Sequence, residues 1–208
     1  MRRIIISEFI TVDGVVEAPG GEPGFKYTGW SAEYFSNEYL QYKLNELKSA
    51  GALLLGRKTY EGFADAWPGR TDEMGFAERM NSLPKYVVST TLKECGWNNS
   101  HLISTNVAEE IRSLRSQEGG NILVTGSATL VQTLMQNDLV DEYRLMIHPT
   151  ILGTGRQLYP NIGERKKLRC VDLQLFPTGT IVAAYRPAEN NDDETNELWR
   201  STMDRWKK

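Results

Sequence analysis

An α/β fold, with a mostly parallel central sheet covered by helices on both faces and closed by antiparallel strands, follows from three features of the sequence. Apolar runs at residues 4–10, 52–55, 86–89 and 122–125 alternate with helix-like segments. Three of these runs, 4–6, 52–55 and 122–124, are continuously apolar, as strands buried on both faces must be. Near the end the alternation stops, and residues 143–147, 168–175 and 180–185 read as consecutive strands.

Each element has its own signal. The β-branched run from Ile4 predicts a first strand almost at the N-terminus. Asp13-Gly14 is a turn signal between the apolar pieces on either side of it, and Pro19-Gly20-Gly21-Glu22-Pro23-Gly24 is loop by composition. Ser31 reads as the N-cap of a helix running to about Lys48. Phe35, Tyr39 and Tyr42 form one stripe of that helix and Leu40, Leu44 and Leu47 another, a wide face for packing on a sheet. A buried strand at 52–55 leads into a short helix at 58–66, and Pro84 precedes the strand at 86–89. Asn106 and Glu109 make a capping-box pattern for a helix to about Gln117, which Gly119-Gly120 stops. After the strand at 122–125, Gly126-Ser127-Ala128 opens a helix ending near Asn137, and Pro177-Thr178-Gly179 separates the last two strands.

With 208 residues, 40% of them hydrophobic and 25% charged, the chain holds one well-buried core and reads as soluble and globular. A formal net charge of -3 with no basic face gives no reason to expect nucleic acid as a partner. Cys95 and Cys170 match no metal-ligand spacing, so no metal site is expected; both read as free thiols, with Cys170 in the core. Glu8 and Asp13 interrupt the apolar run after Arg2-Arg3 too early for a signal peptide, and no stretch reaches the length of a membrane span. A cytoplasmic protein is expected. Residues 1–187 read as one domain and 188–208 as a helical extension. In that extension Trp199, Met203 and Trp206 share a helical face suited to covering the parent domain or a second subunit.

Three strand ends attract an anion. At Leu55-Gly56-Arg57-Lys58-Thr59-Tyr60-Glu61 an apolar run ends in glycine, and two cations and a hydroxyl open the next helix. Free backbone N–H groups and the helix dipole favour a phosphate at such a junction. Val124-Thr125-Gly126-Ser127-Ala128-Thr129 repeats the strand–glycine–helix order with small residues that let a ligand approach the backbone. It has neither the Walker lysine nor a GxGxxG pattern. Ser89-Thr90-Thr91 offers hydroxyls that either meet a phosphate or close a local turn. Asp13, just past the first strand, is the acidic candidate for delivering a proton, with Glu17 second; the alternative is that Asp13 only holds its turn.

These motifs carry a resemblance. Leu55 to Glu61 resembles the cofactor motif of the dihydrofolate reductase fold. Thr125-Gly126-Ser127-Ala128-Thr129-Leu130, Leu139-Val140-Asp141-Glu142-Tyr143, Pro149-Thr150-Ile151-Leu152-Gly153-Thr154-Gly155 and Thr11-Val12-Asp13-Gly14 resemble the reductase domain of riboflavin biosynthesis, the RibD C-terminal family. The match covers roughly residues 2 to 186. It implies a three-layer α/β/α dihydrofolate-reductase-like fold and an NADPH-dependent reductase, similar to 5-amino-6-(5-phosphoribosylamino)uracil reductase, that passes hydride to a small heterocyclic or carbonyl-type substrate.

In the resemblance Gly56, Arg57, Lys58 and Thr59 lie by the cofactor phosphates, Ser89 and Thr90 by the adenosine 2′-phosphate, and Gly126, Ser127, Ala128 and Thr129 around the pyrophosphate. Beside that cofactor site, Asp13 is the candidate for the catalytic role, and Glu17, Trp30, Phe35 and Tyr39 are expected to border the substrate. A homodimer is implied as well. None of Glu33, Glu38 and Glu46 is matched to the pterin-binding carboxylate of folate reductases, so dihydrofolate is not the implied substrate. Nothing resembles the zinc ligands of the riboflavin deaminase, and His101 and His148 form no catalytic pair. The alternative is a non-catalytic nucleotide-binding or interaction module on the same fold.

Overall fold

A computed structural model describes residues 1–159 and 163–188; Trp199, Met203 and Trp206 lie outside the described residues. The elements are β1 (Ile4–Thr11), α1 (Asn37–Ser49), β2 (Ala50–Gly56), α2 (Arg57–Ala66), α3 (Phe76–Ser82), β3 (Lys85–Val88), β4 (Ser100–Ile103), α4 (Val107–Ser116), β5 (Asn121–Val124), α5 (Ala128–Gln136), β6 (Glu142–His148), β7 (Leu168–Leu175) and β8 (Ile181–Pro187). They build one eight-stranded sheet in the order β4-β3-β2-β5-β1-β6-β8-β7. Pairing is parallel from β4 through β6. It turns antiparallel at β6–β8 and β8–β7, where the sequence reads as consecutive strands.

The central strands show why continuous apolar runs were needed. Ile4, Ile6 and Ile10 of β1 point into a core shared with Val124 of β5, Ile111 and Leu114 of α4, and Val131 and Leu134 of α5. Ile5 points the other way, to Leu53 and Leu55 of β2, Val87 of β3, Leu47 of α1, Tyr60 of α2 and Met80 of α3. Each such isoleucine or leucine contributes about 1.5–3 kcal/mol by leaving water, so helices must cover both faces. A third cluster of Tyr39, Met146, Phe176 and Val182 packs α1 onto the antiparallel end.

Several local expectations are corrected. Ser36, not Ser31, caps α1: Ser36 is extended and its Oγ accepts the Tyr39 N–H at 3.2 Å. Ser31 has helical backbone angles, precedes only the short 3-10 turn Ala32–Tyr34, and donates its hydroxyl to the Pro19 carbonyl. Phe35 therefore lies outside the helix. Asn106 does precede α4, but in a left-handed conformation with no side-chain cap, so the capping box does not form. α3 and β4 had no clear signal; α3 is started by Asp72, whose carboxylate accepts N–H groups from Gly75, Phe76 and Ala77. Cys170 is exposed, because β7 is the sheet's edge, while Cys95 is partly buried in the second core.

No helix of the described residues is long and apolar enough to cross a membrane. The parallel order brings Gly56 at the end of β2, Ser89 just past β3, Gly126 just past β5 and Thr11 at the end of β1 to one edge of the sheet. In open α/β sheets this carboxyl edge is where ligands bind.

Candidate functional site

Two glycine turns meet at the centre of that edge. β2 and β5 are neighbours, with Leu54 opposite Val124, and beyond that pair the Gly56 N–H donates to the Gly126 carbonyl at 3.3 Å. A Cβ on Gly126 would stand 2.6 Å from Thr59 Oγ1, and Gly126 has φ 100, so only glycine fits there. The Gly126–Ser127 peptide is cis. Gly56 and Ser127 are the N-caps of α2 and α5; neither makes a side-chain cap bond, and neither helix has an acidic residue in its first turn. Two adjacent helix starts thus lack side-chain caps and acidic first-turn residues, which leaves their positive dipole ends uncompensated, an arrangement that can take an anion.

The side chains around it are only loosely committed. Arg57 donates two hydrogen bonds from Nη1 to the Glu61 carboxylate, at 2.9 and 3.0 Å, with 40% of the arginine side chain and 46% of the glutamate exposed. Such a surface pair is worth at most about 1 kcal/mol, so a phosphate can take the guanidinium over. Lys58 is exposed, and Thr125 Oγ1 is buried with no partner. Ser89 is buried and its Oγ accepts the N–H groups of Thr91 and Leu92 at 3.1 and 2.9 Å, so this hydroxyl closes a local turn. Thr90 beside it is exposed.

Next to the glycine turns the chain past β1 zips against the chain past β6. Asp13 accepts the Thr11 hydroxyl at 2.5 Å and the N–H groups of Leu152 and Gly153 at 3.3 and 2.8 Å. The Thr11 hydroxyl above all, then the two N–H groups, holds its carboxyl below the usual range. Asp13 is therefore a charged acceptor that anchors a loop, and it holds no proton to deliver near neutral pH. Glu17 accepts the Arg156 N–H through Oε2 at 2.8 Å, and its carbonyl accepts Trp30 Nε1–H, also at 2.8 Å. Val15 pairs with Gln157 as an isolated antiparallel bridge.

The aromatic wall exists but is layered. Phe35 stacks on Tyr39 with centroids 5.5 Å apart, and Phe9 meets both edge-on or tilted at 6.0 Å. Phe35 is 39% exposed, whereas Tyr39 is 0% and Trp30 7% exposed. Phe35 thus offers the accessible face with Tyr39 stacked beneath it, and Trp30 packs edge-on against His148 at 5.2 Å. His148 fills the centre, ringed by Phe9, Trp30, Tyr34 and Tyr39. Its Nδ1 donates to the Met146 carbonyl at 2.8 Å, and burial holds it below the usual range, hence neutral. It is a core residue, not half of a catalytic pair.

Two residues beside the site escaped the sequence reading. Glu8 sits at the level of Gly126 with Oε1 buried and unpartnered. Burial pushes its carboxyl up to about 8, against the opposing pull of the Gly126 N–H, so it is mostly protonated at neutral pH. Its signal was a lone acid inside an apolar strand. Arg156 comes from the loop after β6, and its Nη1 donates to Thr129 Oγ1 at 3.2 Å in the first turn of α5. Only the fold brings those two together. Among the described residues no group of acids, histidines and cysteines is arranged to hold a metal ion.

A cavity of about 450 Å³ lies at the opposite end of β6, lined by Glu46, Glu142, Arg144 and Arg186 among others. There Glu46 pairs with Lys43 and Arg144, and Glu142 with Arg3, Arg144 and Arg186. Its charges are spent on one another, tying α1 to the sheet, so the glycine turns remain the better candidate.

Known proteins resemble this chain over about nine-tenths of its length. A family model described as the RibD C-terminal domain matches residues 2–182. The uncharacterized protein YyaP of Bacillus subtilis (strain 168) is 31% identical over 187 residues, covering 88% of this chain and 94% of that protein. Among solved structures, a putative riboflavin biosynthesis protein from Shewanella sp. PV-4 superposes with a TM-score of 0.63 at 19% identity, covering 91% of this chain and 100% of the other. A diaminohydroxyphosphoribosylaminopyrimidine deaminase/5-amino-6-(5-phosphoribosylamino)uracil reductase from Thermotoga maritima gives 0.60 at 13% identity, over 90% of this chain and 57% of that one. Dihydrofolate reductase from Enterococcus faecalis, complexed with NADP(H), gives 0.58 at 14% identity, over 90% and 97%. At these identities the superpositions show a shared dihydrofolate-reductase-like fold.

Proposed function

The chain belongs to the RibD C-terminal domain family, and from there we propose that it is an NADPH-dependent reductase of a small heterocyclic, imine or carbonyl substrate. The observation that carries the proposal is the junction of two uncapped helix starts at Gly56 and Gly126-Ser127, on the carboxyl edge of the parallel strands. The residues present fit a dinucleotide. The glycines leave room beside the backbone, Thr125 Oγ1 is an orphaned polar atom, and Arg57 and Lys58 supply charge.

In this reading Gly56 to Thr59 and Gly126 to Thr129 hold the diphosphate through N–H groups and hydroxyls. Thr90 and the Ser89 turn border the 2′-phosphate, where charge-assisted bonds select NADPH over NADH. When bound there, the nicotinamide would supply the hydride for the C=N or C=O carbon, and the substrate's nitrogen or oxygen would take up a proton from solvent. The chain's own part is orientation and exclusion of water. Phe35 and Phe9 offer apolar faces to a flat substrate, with Tyr39 fixing both from behind and Trp30 packed beside them on His148. Asp13 and Glu17 act by ordering the roof: each gives its carboxylate to backbone N–H groups of the loop after β6.

Titrating nicotinamide fluorescence tests the cofactor. NADPH is expected to bind more tightly than NADH, and equal affinity for the two sinks the assignment. Oxidation of NADPH in the presence of a panel of cyclic imines, aminopyrimidines and ketones tests the reaction. Tight NADPH binding with no turnover across that panel favours a binding module instead.

A further inference from the structure

We propose that Arg156 clamps the cofactor diphosphate and that its backbone bond to Glu17 makes cofactor binding order the loop beside the substrate cleft; this rests on the dinucleotide reading above. The guanidinium sits where an isolated protein has no use for it. It donates to Thr129 Oγ1 at 3.2 Å, within the first turn of α5. That helix end carries positive dipole charge and has no acidic residue in its first turn, so a cation there is repelled. Among the described residues no carboxylate pairs with the Arg156 side chain; Glu17 accepts from its backbone N–H instead. One neutral hydroxyl engages one of five donors. An anion between the two helix starts accounts for the placement, and a planar fork matches phosphate oxygens two at a time.

Arg156 also closes a circle of charge. Arg57 and Lys58 approach the junction from the start of α2, and Arg156 approaches from the loop after β6, on the α5 side. Three cations and two helix starts suit a diphosphate better than a single carboxylate.

Its backbone carries the second half of the proposal. The N–H donates to Glu17 Oε2 at 2.8 Å and the carbonyl accepts the Val16 N–H at 2.9 Å. Just before it Gly155, at φ 115, lies so close that a Cβ would stand 2.7 Å from Val15 Cγ1. The Glu17 carbonyl in turn holds Trp30 Nε1 at 2.8 Å, under the aromatic wall. Phosphate, Arg156, Glu17 and Trp30 thus form one connected series from cofactor to substrate side, and fixing the guanidinium fixes the rest.

Arg156→Gln and Arg156→Lys, read by NADPH fluorescence titration with inorganic pyrophosphate as competitor, test the clamp. Arg156→Gln is expected to weaken NADPH about tenfold to a hundredfold, the scale of a lost charge-assisted bond, and to flatten the salt dependence. Arg156→Lys, which keeps charge without the fork, recovers part of the loss, and circular dichroism melts stay close to wild type because the side chain is exposed. Hydrogen exchange reads the coupling: saturating NADPH slows the amides of residues 13–17 in wild type and fails to do so in Arg156→Gln. Unchanged NADPH and pyrophosphate affinity in Arg156→Gln overturns the clamp while leaving the cofactor reading intact. Equal protection of residues 13–17 in both proteins overturns the coupling. Failure of wild type to bind NADPH or pyrophosphate overturns the cofactor reading itself.

Discussion

Gly56 and Ser127 touch so closely that a Cβ on Gly56 would overlap Ser127 Oγ and stand 3.1 Å from Ser127 Cβ. The ends of β2 and β5 are therefore locked together by the absence of a side chain, and the two helix starts keep a fixed spacing. Gly56→Ala pushes Ser127 outward. The overpacking is expected to cost about 1–3 kcal/mol in urea unfolding. NADPH affinity falls further than that stability loss alone explains, because the anion site itself is pried apart. A variant that loses stability but binds NADPH as wild type does would show that the spacing is unrelated to the cofactor.

Glu8 makes stability depend on pH in a direction opposite to most carboxylates. Its proton is held more tightly in the folded chain, where burial lifts the carboxyl to about 8, than in the unfolded chain at about 4.5. The favourable contribution is fully present below pH 4.5 and fades as pH rises through 8. Glu8→Gln removes this dependence. Chemical denaturation across pH should show the difference between Glu8→Gln and wild type shifting in the variant's favour from pH 4 to pH 9, by up to about 5 kcal/mol. A constant offset across that range would mean that Glu8 titrates normally.

Asp13→Asn separates an anchor from a proton donor. The amide oxygen keeps one acceptor, while the carboxylate serves the Thr11 hydroxyl and two N–H groups. The loss is expected to be about 1–2 kcal/mol of stability, with looser loops and a raised KM. The pH profile of kcat should keep its shape. Collapse of kcat by several orders of magnitude, with KM unchanged, would return Asp13 to the chemistry.

What the sequence makes legible here follows from burial. β1, β2 and β5 are covered on both faces, so each carries a continuous apolar stretch, Ile4 to Ile6, Ala52 to Leu55 and Ile122 to Val124, and the run announces itself. β4, Ser100 to Ile103, is an edge strand with one buried residue, and nothing in its four residues distinguishes it from loop. Leu168-Arg169-Cys170 alternates like a half-buried strand, yet β7 is the other edge and Cys170 is exposed. Alternation gives a side chain's direction, and only the neighbouring element decides whether that direction is inside. Gly56 and Gly126 were readable because each turn's own residues specify it. Arg156 was not, because its meaning lies 27 residues away at Thr129.

Glu61 competes with the cofactor for Arg57, so removing it should tighten NADPH. The pair runs with arginine N-terminal to glutamate at i,i+4, the weaker order, and both side chains are substantially exposed. It contributes at most about 0.5 kcal/mol to α2, and Arg57 in the first turn already opposes the helix dipole. Glu61→Ala therefore costs the fold little. It leaves the guanidinium without its carboxylate and subtracts one negative charge beside the phosphates. NADPH affinity is expected to rise about twofold to fivefold at low salt and to converge on wild type as salt screens the site. Arg57→Ala moves affinity the other way, and in its presence Glu61→Ala should have little further effect. Fluorescence titrations of the single and double variants decide it. Additive effects would mean that Glu61 acts through the general field, and a weaker NADPH complex in Glu61→Ala would mean that the ion pair holds Arg57 in its binding pose.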